Sequence, residues 1–185
     1  MKKLVTFASG GGSNFEALCE SAEKGFFDGK FVLLVASKPG IGAIERAKKY
    51  GVPVYIESAE KSTAEEVKKY NPDLICLAGY MKKIPDEVLH ICPVMNIHPA
   101  LLPKFGGKGM YGHHVHEAVI AQKEKESGAT VHFVDSSYDT GPMILQGKVE
   151  VSEGDTPQML AAKVLKVEHK IYSEAVKLFC EDKLK

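Results

Sequence analysis

Residues 4–14 read Leu4-Val5-Thr6-Phe7-Ala8-Ser9-Gly10-Gly11-Gly12-Ser13-Asn14, an apolar run that stops abruptly at three glycines. Apolar residues then recur at helical spacing, at Phe15, Leu18, Cys19 and Ala22. This spacing predicts an amphipathic helix directly after the glycines. The first unit of the fold is therefore a strand, a glycine loop and a helix.

The glycine loop predicts an anion site, because the first backbone N–H groups of a helix have no partner within the helix. It lacks the Gly-x-Gly-x-x-Gly spacing of dinucleotide-binding loops and the Gly-Lys-Ser/Thr of a Walker A loop. We therefore predict that it binds a phosphate monoester. The alternative is a tight turn in which Ser13 is the helix N-cap and Glu16 completes a capping box.

Similar apolar runs alternate with helical patterns along the chain. Strands are predicted over residues 31–36, 52–56, 73–80 and 94–98, and helices over residues 42–50, 62–70 and 85–91. Strands that are apolar almost throughout and alternate with helices indicate a parallel sheet covered on both faces. Residues 129–134 and 143–146 are expected to pair antiparallel at the sheet edge, before a long last helix that begins at Thr156-Pro157. The predicted fold class is α/β: an open, mostly parallel, twisted sheet with helices on both faces and antiparallel strands in the C-terminal part.

The overall composition restricts the possible partners. The 185 residues fit one domain, residues 1–185, and the 24 basic and 24 acidic residues balance. A neutral total argues against nucleic-acid or membrane-surface binding, because both need a net positive face. The four cysteines form no Cys-x-x-Cys pair, and no apolar stretch reaches bilayer length. We expect a soluble, cytoplasmic protein that acts on small molecules, and a monomer and a homodimer both remain open.

The chemistry is predicted at Met95-Asn96-Ile97-His98-Pro99, where a strand ends at a proline. Asn96 and His98 are two residues apart, so their side chains point to the same face of the strand. The amide can donate to a developing oxyanion, and the imidazole can carry a proton. Ligands of such sheets bind beyond the carboxyl ends of the strands, where the glycine loop and Gly79-Tyr80-Met81 are also expected. The alternative is a strand end whose polar groups satisfy loop backbone.

Three other polar groups permit both a structural and a functional interpretation. Asp139 is either a turn residue or the carboxylate that orients and charges His98. Glu168 and His169 interrupt the apolar stripe of the last helix, and their pattern alone favours the solvated side. His113, His114 and His116 cluster at the start of a helix predicted over residues 113–123. No cysteine or well-spaced carboxylate completes a ligand set there, so a solvated or loop-facing histidine cluster is favoured over a metal site.

Taken together, these stretches resemble the 10-formyltetrahydrofolate-dependent phosphoribosylglycinamide formyltransferases of purine synthesis, over essentially the whole chain. An Asn-x-His-Pro motif with a later Asp is shared by the wider formyltransferase superfamily, whereas the glycine loop and the short chain point to this family. The matching motifs are Ser9-Gly-Gly-Gly-Ser-Asn14, Leu77-Ala-Gly-Tyr-Met81, Asn96-Ile-His-Pro-Ala-Leu-Leu-Pro103, Thr130-Val-His-Phe-Val134, Asp139-Thr-Gly-Pro142 and Glu168-His-Lys-Ile-Tyr172.

The resemblance implies a Rossmann-like formyltransferase fold, formyl transfer between two nitrogens, and 10-formyltetrahydrofolate as the co-substrate with no metal. It implies three catalytic residues, with Asn96 and protonated His98 stabilising the oxyanion and Asp139 raising the pKa of His98. The ribonucleotide would contact Gly11, Gly12, Ser13, Asn14, Lys166 and Glu168. The folate would contact Met81, Lys82, Lys83, Ile84, Asn96, Asp135, Tyr138 and Asp139.

The sequence departs from the family pattern at two places near the predicted folate site. Lys82 stands where the family often has Arg, and residues 57–63 offer no counterpart for a family arginine that helps to hold the folate.

A formyltetrahydrofolate hydrolase and a non-catalytic folate- or phosphate-binding module are the main alternative functions. A methionyl-tRNA formyltransferase would normally add a basic C-terminal domain. A nicotinamide oxidoreductase does not fit the glycine spacing.

Overall fold

The computed structural model describes residues 1–135 and 139–184, which form one seven-stranded sheet with the order β3-β2-β1-β4-β5-β6-β7. The first five strands pair parallel, and β6 and β7 are antiparallel to their neighbours. The strands are β1 (Lys2–Ala8), β2 (Gly29–Ala36), β3 (Val54–Ile56), β4 (Leu74–Leu77), β5 (Val94–His98), β6 (Glu126–Phe133) and β7 (Met143–Glu150). The predicted strands are confirmed, with β6 and β7 longer than their apolar runs.

Helices cover both faces of the sheet, as predicted. The helices are α1 (Ser13–Glu23), α2 (Gly42–Lys49), α3 (Thr63–Lys68), α4 (Asp86–Leu89), α5 (His113–Ala121) and α6 (Pro157–Cys180). Buried side chains of α1, α2, α5 and α6 share one apolar core with the sheet. Those of α3 and α4 share a second core with the opposite face. The α/β fold class predicted from the sequence is therefore confirmed.

The predicted helix caps are confirmed for α3 and α6 but not for α1. The hydroxyl of Thr156 accepts from the N–H of Met159 at 3.2 Å, and that of Ser62 accepts from Glu65 at 3.3 Å. For α1 the N-cap is Gly12, with a φ of 78°, and Ser13 is already the first helical residue. A Cβ on Gly12 would lie 2.7 Å from Ala43 of α2. The close packing of α2 on the loop therefore requires a glycine at the N-cap of α1. The capping-box pattern had predicted Ser13 as the N-cap.

The long helix α6 is fixed to the middle of the sheet by Tyr172. This side chain is fully buried, and its hydroxyl lies 3.1 Å from the carbonyl oxygen of Leu77 and 3.2 Å from that of Met95. Leu77 ends β4, and Met95 belongs to the neighbouring strand β5. The hydrogen bond thus ties α6 to the two strands that lead into the candidate site.

Two features bear on the environment of the protein. All four cysteines are free, and Cys19 and Cys76 are buried. None of the helices in the described part of the chain has the length and apolar character that a bilayer crossing requires.

Candidate active site

A cavity of about 600 Å³ opens at the carboxyl ends of β1, β4 and β5. The chain winds outwards from β1 through β2 to β3 and then returns to β4 on the other side of β1. Ligands of open α/β sheets bind where the strand order reverses in this way. The rim predicted from the sequence is confirmed as one site.

Most of the predicted site residues line this cavity. It brings together Ser13, Asn14, Met81, Lys82, Lys83, Ile84, Asn96, His98, Asp135, Asp139 and Glu168. Gly11 and Gly12 lie in the loop that carries Ser13 but are not among the lining residues. Tyr138 lies outside the described residues.

Lys166 is not brought to the cavity. Its side chain is exposed, and on the same helix it is Leu165 and Glu168 that line the wall. Residues three apart share a helix face, whereas residues two apart do not. Lys166 therefore points away from the cavity wall that carries Glu168, and the structure does not bring it to the predicted ribonucleotide site.

His98 lies between a carbonyl oxygen and a carboxylate. Its Nε2 donates to the carbonyl oxygen of Phe105 at 2.7 Å, and its Nδ1 lies 3.6 Å from Oδ2 of Asp139. Burial lowers the pKa of the imidazole, and this effect outweighs the raising effects of Asp139 and of the Phe105 carbonyl. The raising effect of Asp139 was predicted correctly, but the net pKa lies below the ordinary value because only 4% of the side chain is exposed.

The carboxylate of Asp139 contacts the loop after β5 and histidines of β5 and β6. Its Oδ2 accepts from the N–H of Gly107 at 3.0 Å, and its Oδ1 lies 3.5 Å from Nε2 of His132. Burial raises the pKa of the carboxyl, but His132, His98 and the Gly107 N–H together bring it below its ordinary value. The side chain is therefore a carboxylate at neutral pH, beside His98.

His132 holds Asn96, and sequence reasoning gave it no role. The two residues are register partners across β5 and β6, and Nδ2 of Asn96 lies 3.2 Å from Nε2 of His132. Nδ1 of His132 donates to the carbonyl oxygen of Phe133 at 2.8 Å, and Nε2 faces both the Asn96 amide and the Asp139 carboxylate. Only the pairing register of the two strands, which the sequence pattern does not give, could have found this contact.

Glu168 and Asn14 join α6 to α1 at the other end of the cavity. Nδ2 of Asn14 donates to Oε2 of Glu168 at 2.6 Å, and Glu168 is 8% exposed. Burial raises the pKa of this carboxyl, and the Asn14 bond only partly opposes the rise. The solvated interpretation of Glu168 is thus wrong, because the side chain points inwards onto the start of α1.

The segment from Met81 to Ile84 forms one wall of the cavity. The N–H of Met81 donates to the hydroxyl of Ser9 at 3.0 Å, which joins the wall to the end of β1. Lys82 is already paired: its Nζ lies 2.9 Å from Oε2 of Glu57 and 2.9 Å from the carbonyl oxygen of Ser37. Tyr80 also donates to the Glu57 carboxylate, at 3.0 Å. Glu57 therefore fixes this wall from behind, in the segment where the family arginine has no counterpart.

The histidine cluster divides into two parts. His116 is buried and lines the cavity, whereas His113 and His114 are exposed. The exposed pair lies beside Glu117, and one ligand atom from each of these three residues falls within 4.8 Å of the others. The sequence pattern did not reveal that carboxylate; of the predicted solvated or loop-facing histidines, His113 and His114 are exposed and His116 faces the cavity.

The comparison with known proteins decides the family. Residues 2–176 match the Formyl transferase family. A phosphoribosylglycinamide formyltransferase of Bacillus subtilis is 37% identical over 96% of this chain and 94% of its own length. The crystal structure of glycinamide ribonucleotide transformylase 1 from Symbiobacterium toebii is 34% identical, covers 100% of this chain and 90% of that chain, and superposes with a TM-score of 0.93. The chain belongs to the phosphoribosylglycinamide formyltransferases.

Other members of the phosphoribosylglycinamide formyltransferases differ in length. The chloroplastic enzyme of Arabidopsis thaliana is 44% identical over 100% of this chain, and the match covers 67% of that protein. The chloroplastic enzyme of Vigna unguiculata is 42% identical over 99% of this chain, and the match covers 62% of that protein. The chain therefore spans about two thirds of its plant relatives. The family moves the formyl group of 10-formyltetrahydrofolate onto phosphoribosylglycinamide in purine biosynthesis, and no metal is indicated for it. This phosphoribosylglycinamide formyltransferase is accordingly an enzyme acting on small molecules.

Proposed function

We propose that Asn96, His98 and Asp139 catalyse direct formyl transfer from 10-formyltetrahydrofolate to the amine of 5'-phosphoribosylglycinamide in this cavity. The observation that carries the proposal is their convergence: β5 supplies two of them, and the turn after β6 supplies the third. They lie between the start of α1 and the wall formed by Met81 to Ile84. The predicted site of the formyl acceptor and the predicted site of the formyl donor thus lie on opposite sides of these three residues.

The ribonucleotide phosphate is placed at the loop Gly11 to Asn14, where the first N–H groups of α1 are available to an anion. Glu168 faces the ribose end of the same substrate, and its carboxyl is held there by Asn14. The folate lies along Met81 to Ile84 and towards Asp135. This arrangement directs the glycinamide amine and the formyl carbon to His98 from opposite ends of the cavity.

The amine attacks the formyl carbon and forms a tetrahedral intermediate with a negatively charged oxygen. Nδ2 of Asn96 and the Nε2–H of His98 are the donors to that oxygen, and loss of one such donor typically costs about 10²–10³ in rate. In the free enzyme the Nε2–H is bonded to the carbonyl of Phe105. An anionic oxygen is a stronger acceptor than a neutral carbonyl, so the intermediate displaces Phe105 from this hydrogen.

The proton balance needs no external acid or base. The attacking nitrogen loses one proton, the leaving folate nitrogen gains one, and His98 carries it between them. The negative oxygen of the intermediate and the carboxylate of Asp139 both favour the imidazolium at that stage. The imidazolium gives its Nε2 proton to the leaving nitrogen and regains one at Nε2 from the attacking nitrogen, while the Nδ1 proton stays beside Asp139.

We also propose that residues 1–185 act as one catalytic domain in the cytoplasm, as a monomer or a homodimer. The described residues share a single sheet with a core on each face, which supports one folding unit. The four free thiols suit a reducing compartment.

The proposal is tested by the dependence of turnover on the amine. Tetrahydrofolate release is followed with 10-formyltetrahydrofolate alone and with added phosphoribosylglycinamide. We expect release only when the ribonucleotide is present. Release without it would identify a hydrolase instead, and binding of either substrate without turnover would identify a non-catalytic module.

A further inference from the structure

Helix α2 packs end-on against the glycine loop, backbone against backbone. The N–H of Ala43 donates to the carbonyl oxygen of Gly10 at 3.1 Å. A Cβ on Gly42 would lie 3.1 Å from the backbone of Gly11, and one on Gly12 would lie 2.7 Å from Ala43. The approach at Gly12 excludes a side chain and that at Gly42 leaves little room for one, so α2 directly supports the loop. No other role of α2 in the site follows from the cavity, which it does not line.

Arg46 is the side chain by which α2 holds the loop. It is three residues beyond Ala43, so it lies on the same helix face. Its Nε donates to the carbonyl oxygen of Gly11 at 2.7 Å, and its Nη1 pairs with the carboxylate of Glu16 on α1. The side chain is 33% exposed. One planar guanidinium thus connects the loop, α1 and α2.

Arg46 also determines the charge next to the predicted phosphate. Glu16 is in the first turn of α1, and its side chain is 22% exposed. A carboxylate there competes with a phosphate for the positive end of the helix and repels it. Arg46 neutralises this carboxylate from one side, and Nζ of Lys49 lies 2.9 Å from its other oxygen. With both cations in place, the first turn of α1 can accept an anionic ligand.

We infer that Arg46 is a positioning residue for the ribonucleotide phosphate. It fixes the Gly11 carbonyl so that the following N–H groups face the phosphate, and it neutralises Glu16, which would otherwise repel that phosphate. The inference rests on the proposed function, because it takes the glycine loop as the phosphate site. A lysine cannot replace Arg46, since it lacks the fork that reaches both acceptors at once.

The test compares Arg46→Met, Arg46→Lys, Glu16→Gln and the double variant, with Lys48→Met as the matched control. Lys48 is on the same helix and pairs with Glu45, an exposed residue away from the loop. Phosphoribosylglycinamide affinity is measured by calorimetry, and the KM for each substrate by steady-state kinetics. For Arg46→Met we expect the affinity for the ribonucleotide to fall and its KM to rise, each by about 10–100-fold, as for loss of a charge-assisted hydrogen bond. The KM for the folate should stay within about twofold, and Lys48→Met should behave as wild type.

The double variant separates the two roles of Arg46. Adding Glu16→Gln to Arg46→Met should recover part of the lost affinity, because the repelling charge is gone, while the Gly11 bond remains lost. Arg46→Lys should stay weak for the same reason. Wild-type affinity in Arg46→Met, or equal losses for both substrates, would overturn the inference. So would full recovery in the double variant, because holding Gly11 would then contribute nothing.

Hydrogen exchange is measured without substrate, so its outcome does not depend on whether the enzyme transfers formyl groups. Hydrogen exchange at the amides of Ala43 and Glu16, which donate to the Gly10 and Gly12 carbonyl oxygens of the loop, is compared between wild type and Arg46→Met in the free protein. We expect exchange at least about tenfold faster in the variant, because the loop loses its support. Unchanged exchange would overturn the inference even if the wild-type enzyme transfers formyl groups, and faster exchange would support it even if the wild-type enzyme does not.

Discussion

The imidazole of His98 is subject to two opposing influences. Acceptors lie near both nitrogens, which favours the imidazolium, whereas burial favours the neutral ring. Burial dominates in the free enzyme, so the pKa lies below the ordinary histidine value of about 6.5. Asp139 is the charged group whose effect can be removed without removing the imidazole itself.

Replacing Asp139 by Asn should lower the pKa of His98 further. The substitution removes a negative charge that favours the imidazolium, so the titration midpoint moves to lower pH, and kcat should fall by about 10²–10³. The midpoint is measured by NMR titration of the His98 ring protons. Asp86→Asn is the control, because Asp86 is exposed and pairs with Lys83 at the surface. A midpoint that stays in place or rises would show that Asp139 does not act on His98 in this way.

Sequence reasoning found the site residues whose roles depend on local spacing. Asn96 and His98 were predicted because a strand places residues two apart on one face. Lys166 lies outside the cavity because the helical period puts Leu165, and not Lys166, beside Glu168 on the cavity wall. His132 and Arg46 were missed because their contacts arise from strand register and helix packing, and neither leaves a pattern in the sequence.

At the scale of elements, helix α6 both contributes to the cavity and anchors itself to the sheet, through two residues one helical turn apart. It carries Glu168 into the cavity, and four residues later Tyr172 fixes the helix to β4 and β5. The buried hydroxyl of Tyr172 therefore helps to set the distance between Glu168 and β5, together with the apolar contacts of α6. This contribution can be measured by removing the hydroxyl alone.

The Tyr172→Phe substitution should lower the free energy of unfolding by about 1–3 kcal/mol, since the buried hydrogen bond that the hydroxyl shares between the Leu77 and Met95 carbonyl oxygens is lost. For a protein of this size each kcal/mol corresponds to a fall in Tm of about 2–4 °C. Thermal and denaturant unfolding measure the change, with Tyr111→Phe as the control because Tyr111 is 47% exposed. A Tm within 1 °C of wild type, by the same estimate, would mean that the hydroxyl does not hold α6.

Several element boundaries followed from local signals in the sequence. The apolar runs predicted the strands, and Ser62 and Thr156 predicted the starts of α3 and α6. The capping box at Ser13 was wrong because the N-cap of α1 is decided by a distant contact, the approach of Ala43 to Gly12. Tertiary packing overrode a local preference at the loop where the phosphate is proposed to bind.

At the scale of the whole molecule, the position of the site follows from the topology. The reversal between β1 and β4 leaves a crevice at the carboxyl ends of these strands, and the glycine loop, the Met81 wall and β5 surround it. The alternation of strands and helices predicted the fold class. It did not predict the strand order, because any order that covers both faces of the sheet satisfies the same apolar pattern.

The central claim is that His98 carries the proton in a direct transfer between two substrates. The most direct test follows a ¹³C-labelled formyl group by NMR in the wild-type enzyme and in His98→Ala, together with the ribonucleotide affinity of both. We predict that wild type places the label in formylglycinamide ribonucleotide. His98→Ala should turn over at least about 10²–10³-fold more slowly, with its ribonucleotide affinity nearly unchanged. Label released as formate by wild type, or full turnover in His98→Ala, would contradict the account.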